Sequence, residues 1–249
     1  MVGLIRTRSG DRTNRKVRYM EHFIQRPGET AREYAYRYIL QNIVNLKYLP
    51  GQKISDIEIS KELNISRTPV REAILTLISS HLIESYPQRG MFVSLIDHSI
   101  VEQVCTLRQM IEGSLAEMCC DRLTQDHLDN LYDYITLQRD YAANGPRENF
   151  EKFLDLDIAF HKEFFDMCGM SFIYDTLQGV MPHFDRQRKL SYRISVSDRV
   201  ISEHQDICRA LEAHDKQAAR EAVIHHISTA LTDQKILIEM FPDYYQKKS

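Results

Sequence analysis

The sequence predicts a mainly α protein in two parts: an N-terminal winged helix-turn-helix and a C-terminal all-α antiparallel helical bundle. Three observations carry this reading. Alternating apolar stretches occur in one place, LIESY and MFVSL on either side of Pro87-Gln-Arg-Gly90, the pattern of a strand hairpin. Helical segments precede the hairpin, and beyond Leu95 every segment repeats near 3.6 residues. Charge also reverses there: residues 1–95 hold 15 Lys and Arg against 9 Asp and Glu, while residues 96–249 hold 17 against 26. A basic first part on an acidic second part predicts that the first meets a polyanion.

At 249 residues the chain has ample material for two domains. No run approaches the roughly 20 apolar residues of a membrane span, and the start, MVGLIRTRSGDRTNRK, lacks the apolar segment of a secretory signal. A soluble, cytoplasmic protein is expected. The five cysteines, Cys105, Cys119, Cys120, Cys168 and Cys208, show no CxxC spacing and read as reduced core residues.

Residues 1–27 form a polar arm with six basic residues by position 18 and no sustained period. It is expected to be flexible, either without a role or contacting phosphates. Residues 28–95 carry the winged helix. Thr30-Ala-Arg-Glu33 is a capping box opening a helix that turns Tyr34, Ile39, Ile43 and Leu46 inward until Leu49-Pro-Gly-Gln52. Ser55-Asp-Ile-Glu58 opens a second helix, closed by Asn64. Ser66 is expected to cap a third, with Pro69 in its first turn and Val70, Ala73, Ile74, Leu77 and Ile78 inside. The free N-terminal end of that helix can enter a major groove. Arg67, Thr68 and Arg71 lie on its outward side, and Arg89 sits at the hairpin tip. Arginine can grip guanine O6 and N7 with two donors.

Residues 96–240 divide into helices at about 98–121, 124–143, 147–168, 171–194, 198–213 and 215–239, with 241–249 as a tail. Asp97, Thr124, Gly145-Pro146, Gly169, Ser197 and Asp215 mark the breaks. Several apolar stripes carry a polar interruption. Arg108, with Glu112 beside it, interrupts the first helix, and Asp157 and His161 interrupt the third, whose stripe also holds Phe150. His204 and His226 interrupt the fifth and the last. His225 lies off its stripe. A buried polar group needs a partner. Asp157 and His161, four residues apart, can reach one point above the same turn. Two more imidazoles could complete a set of three nitrogens and one oxygen that suits a divalent Zn, Ni, Mn or Fe ion. The same residues also fit ion pairs within a purely structural bundle.

The run PGQKISDIEISKELNISRTPVREAILTLISSHLIESYPQRGMFVSLI resembles the DNA-binding domain of the GntR family of bacterial transcription regulators, most closely in SRTPVREA and in the spacing to QRGMFV. The resemblance implies that Ser66, Arg67, Thr68 and Arg71 face DNA and that Gly90 lets the wing approach the minor groove. Some relatives read a base with an early arginine of the second helix, where this chain has Ile57, so the usual operator sequence is not implied. AFH at 159–161 behind Asp157, SEHQDICRAL at 202–211 and the run ending in His226-Ile227 resemble the FadR C-terminal (FCD) effector domain. The spacing of 22 residues between His204 and His226 agrees with that domain. This likeness implies a metal on Asp157, His161, His204 and His226, and an organic acid effector at Arg108. HFDRQRKLSY at 183–192 is similar to the branch containing the enterobacterial regulator YdfH, which adds Arg186 and Arg188 as pocket candidates.

The implied function is a homodimeric transcription regulator, a repressor rather than an enzyme, on a near-palindromic double-stranded DNA operator. A rival reading is a metal-dependent hydrolase with an appended DNA-binding module, since His214-Asp215 superficially resembles the HD pair of helical phosphohydrolases. That pair falls at a helix junction, where Asp215 serves as a cap. HExxH, GxSxG, GxGxxG and P-loop motifs are missing from the sequence.

Overall fold

A computed structural model describes residues 24–144, 146–194 and 197–247, except for the side chains of 146–150, 193, 194 and 197. Most of the expected basic arm, the break marker Gly145, and the side chains of Phe150 and Ser197 lie outside the described residues. The N-terminal part folds as α1 (Ala31–Val44), β1 (Lys53–Ile54), α2 (Asp56–Leu63), α3 (Arg67–Ser79), β2 (Ile83–Tyr86) and β3 (Gly90–Val93). Thr30 and Glu33 make both bonds of the capping box that starts α1. Ser55 accepts from Glu58 N at the start of α2, and Asn64 ends it in the left-handed conformation, which Asn tolerates better than most side chains.

Three details differ from the sequence reading. Ser66 occupies the N-cap of α3 but makes no side-chain cap bond. Pro69, the third residue of the helix, has no N–H to donate there, which leaves the Ser66 hydroxyl exposed. The sheet has three strands in the order β1-β3-β2, because Lys53 and Ile54 pair with Phe92 and Met91 on the far edge of the hairpin. Two residues are too few to show alternation. Leu46 lies beyond the end of α1, at φ 53°, and is buried in the apolar core of the helical part.

The helical part comprises α4 (His98–Cys120), α5 (Gln125–Ala143), α6 (Pro146–Met167), α7 (Ser171–Leu177), α8 (Met181–Ile194), α9 (Ser197–Glu212), α10 (Lys216–Thr232) and α11 (Gln234–Met240). The segments read as 171–194 and 215–239 are each two helices, broken at 178–180 and at Asp233. The first break holds Gly179 and is followed by Pro182 in the first turn of α8, a local start signal that the sequence reading passed over, whereas the second holds neither Gly nor Pro. α4 packs along α10, where Gly113 leaves room for Ile224: a Cβ there would lie 3.2 Å from the isoleucine. A short parallel bridge between Ile96 and Tyr245 brings the C-terminal segment to the seam between the two parts. All five cysteines are free and buried.

One helix spans both parts. His183 of α8 bonds the carbonyl of Ser80, Arg186 donates to Ser94 O at 2.8 Å, and Lys189 donates to Asn45 Oδ1. The opposite side of α8 carries Asp185, Arg188 and Tyr192 toward the interior of the bundle.

Candidate metal centre, effector cavities and DNA-reading face

Asp157, His161, His204 and His226, from α6, α9 and α10, are all buried and each offers a ligand atom within 4.8 Å of the others. What surrounds the imidazoles sets their tautomers. His204 Nδ1 lies 3.0 Å from Gln138 Oε1, His226 Nδ1 lies 2.8 Å from Glu203 Oε2, and His161 Nδ1 lies 2.6 Å from Glu112 Oε2. Acceptors hydrogen-bonded at Nδ1 favour the proton there in His204 and His226, and the Glu112 carboxylate beside His161 Nδ1, close but outside hydrogen-bond geometry, favours the same tautomer by charge, which turns each Nε2 lone pair to the centre. Burial holds His161 and His204 below the ordinary imidazole value, favouring the neutral form that binds metals.

The residues therefore fit a cation. His161 and His226 bring their Nε2 atoms to 3.1 Å, a separation that two nitrogens about 2.0–2.1 Å from one zinc ion can hold. As lone pairs they would repel with nothing between them. His204 Nε2 is buried without a hydrogen-bond partner, 3.6 Å from Asp157 Oδ1. Charge points the same way: the carboxylates of Glu112, Asp157, Asp185, Glu203 and Asp233 face the guanidiniums of Arg108, Arg188 and Arg199. With neutral imidazoles the cluster carries two uncompensated negative charges, which one divalent ion balances.

Arg188 pairs with Asp157 through one Nη and with Asp185 Oδ1 at 2.9 Å through the other. Burial alone would raise the Asp157 carboxyl, but the Arg188 guanidinium beside it holds it well below the usual range. Arg108 forms a two-pronged pair with Glu112, at 2.6 and 3.2 Å. Burial again opposes ionisation, and Arg108 and His161 reverse it, setting Glu112 at about 2. Both guanidiniums lie against Phe184, 4.8 and 5.4 Å from its ring centre.

Arg108 and Arg188 separate two cavities, each of about 400 Å³ including its open mouth. One reaches His161 and is walled by Phe165, Tyr174 and Met181. The other reaches Asp157 and His226 beneath Tyr192 and Arg199. Arg186 lines neither. It is wholly buried in the seam, bonded to Ser94 and His183, and burial pushes it down to about 10. Arg186 and Arg188 are two positions apart on α8 and so point to different sides of it. This removes Arg186 from the cavity set.

Glu203, Gln138, Asp185 and Tyr192 were not singled out from the sequence. Gln138 was legible: it follows Leu128, Leu131 and Ile135 at helical spacing and is fully buried. Glu203, beside His204, carried no comparable signal. His225 is exposed. His214 bonds the carbonyl of Cys120 through Nδ1, and Asp215 caps α10, so the pair that suggested a hydrolase is a helix junction.

On the N-terminal part, Ser66, Arg67, Thr68, Arg71 and Arg89 are exposed, as is Ile57. Asp56 Oδ2 accepts from both Arg67 Nη2, at 3.0 Å, and Arg71 Nε, at 2.6 Å. Gly90, at φ 106°, sits at the wing tip, where a Cβ would lie 2.9 Å from Lys53 Cε.

The model for bacterial regulatory proteins of the gntR family matches residues 31–93, and that for the FCD domain matches residues 103–229. The chain belongs to the GntR family of bacterial transcription regulators. Relatives of this regulator include the HTH-type transcriptional repressor RspR of Escherichia coli K12, 29% identical over 81% of this chain and 87% of that one. YdfH of Shigella flexneri matches to the same extent. A Streptomyces ambofaciens HTH-type regulator from an unstable DNA locus is 30% identical over 84% of this chain and 87% of its own. Among solved structures, E. coli McbR/YncC shares the fold, with a TM-score of 0.69 at 16% identity over 85% of this chain and 99% of that one. These relatives are regulators, not enzymes. Among the described residues, no helix is long and apolar enough to cross a membrane.

Proposed function

We propose that the regulator acts in the cytoplasm as a homodimer on a near-palindromic operator, with its affinity for DNA set by a small organic acid bound beside a divalent metal. The observation that carries the sensing half is the convergence of Asp157 and three imidazoles, with a ligand atom of each within 4.8 Å of the others, two of the rings held through Nδ1 by Gln138 and Glu203 and the third lying against Glu112. Asp157, His161, His204 and His226 would hold Zn, Ni, Mn or Fe. The ion would offer a Lewis-acid position to a ligand oxygen. Arg108 and Arg188 line the adjoining cavities and supply the positive charge for a carboxylate.

Ser66, Arg67, Thr68 and Arg71 would enter the major groove, with Arg89 and Gly90 at the wing. Two-fold symmetry of the protein would match that of the operator. The contacts of α8 with Ser80, Ser94 and Asn45 suit it to carry a change at Arg188 to the DNA-binding part. The name of the E. coli relative supports repression.

Elemental analysis of protein purified without a histidine tag, followed by operator titrations with and without a chelator, tests this reading. About one ion per chain is expected, with operator affinity that changes when metal or candidate acids are added. The Arg188–Asp157 pair favours a second reading, in which the cluster is only a structural core. Metal-free protein with unaltered operator binding would establish that alternative.

A further inference from the structure

The two outward arginines of α3 are not free charges. Arg67 and Arg71 are one turn apart, and a single oxygen of Asp56, on the first turn of α2, accepts from both. The arginine side chains remain about half exposed, at 47% and 62%, while that of Asp56 is 12% exposed. The acid therefore lies behind the guanidiniums and leaves their outer sides open to solvent. Helix-dipole stabilisation accounts for an acid at this position but not for two arginines converging on one of its oxygens.

The two contacts differ in kind. Asp56 takes Arg71 through Nε, and among the described residues both Nη nitrogens of Arg71 have no partner. Those nitrogens form the end-on fork that can grip guanine O6 and N7. Arg67 is held through Nη2, so its own fork is partly occupied. We infer that Asp56 is a positioning residue for operator specificity, presenting Arg71 as a preformed base-reading fork and restraining Arg67 from indiscriminate phosphate contact. This inference rests on the proposed DNA-reading role of α3.

The acid also lowers the charge of the trio from +2 to +1, which weakens attraction to DNA of any sequence. In free solution the paired guanidiniums sample fewer orientations, so less freedom is lost when a base is gripped. Asp56 thus trades general affinity for discrimination. Ile57 next to it is exposed and has no side-chain hydrogen-bonding group, which leaves base reading to α3.

The test uses the full-length protein, an operator duplex selected from a random pool by the wild type, and a random duplex of equal length, each titrated at several salt concentrations. Asp56→Asn should bind the random duplex more tightly, with the slope of log K against log salt steeper by about 0.9 for one additional phosphate contact. Its preference for the operator should fall about tenfold, the scale of one bidentate base contact. Asp56→Glu, which keeps the charge, should retain more of the preference. Asp56→Ser, a second neutral variant, should reproduce the fall if Asn disturbs α2, as checked by thermal unfolding. Folded neutral variants with unchanged preference and salt slope would overturn the inference. The underlying reading is tested separately: an Arg67→Ala, Arg71→Ala double variant that still prefers the operator would remove α3 as the reading element, whatever Asp56 does.

Discussion

Asp56 and Asp157 each hold arginine, one at the rim of the DNA-reading helices and the other sealed inside the bundle. Asp56 meets two guanidiniums that stay about half in water, and Asp157 meets Arg188 where both side chains are nearly excluded from it. At the rim, water screens the pair, so breaking it costs little stability and releases charge for DNA. Inside, desolvation makes the pair costly to bury and more costly to break, because the abandoned partner remains charged in a dry setting. The same two functional groups therefore suit recognition in one place and a poised internal site in the other.

The largest expected effect is on the ion. His204→Ala removes the unpartnered Nε2 and should weaken metal binding by more than the roughly 10- to 100-fold typical of losing an outer partner, read by elemental analysis and chelator competition. Full metal occupancy in this variant would place the ion elsewhere. Arg188→Met should destabilise the fold by about 3–5 kcal/mol by leaving Asp157 unpaired, measured by urea unfolding. Arg67→Ala should stay within about 0.5 kcal/mol of wild type. Equal losses in these two variants would break the contrast between interior and rim.

Glu203→Gln should leave the fold intact but weaken metal binding by about 10- to 100-fold, since His226 Nδ1 loses its charged acceptor. Isothermal titration with the metal alone gives the value, and an unchanged affinity would make Glu203 merely a packing residue. The smallest effect is expected at Lys162, which pairs with Asp166 on the exposed face of the helix that carries His161. Lys162→Ala should change thermal stability by less than about 1 kcal/mol; a larger loss would show that exposure alone does not separate the two classes of ion pair.

Much of the site was legible along single helices. Arg108, Asp157, His161, His204 and His226 interrupt apolar stripes, and all five are buried. Gln138 obeyed the same rule and was passed over, because an uncharged amide stands out less among apolar neighbours than an imidazole. Arg186 and Arg188 looked equivalent within HFDRQRKLSY, yet one lies in the seam and the other between the cavities. Their separation needed the packing on both sides of α8. Ser66 takes the expected N-cap position but makes no side-chain cap bond, and the sequence did contain a local reason, the missing N–H of Pro69.

Sequence by itself determined the order of helices and hairpin, the reversal of charge between the two parts, and that Arg108, Asp157, His161, His204 and His226 turn inward. Those properties follow from backbone periodicity and capping, which act over a few residues. Only the tertiary structure decided that Glu112, Gln138 and Glu203 flank the three imidazoles, that Arg188 guards Asp157, and that Asp56 restrains Arg67 and Arg71. These partners come from different helices, and their meeting depends on how each helix is rotated and offset against its neighbours, which no local periodicity specifies.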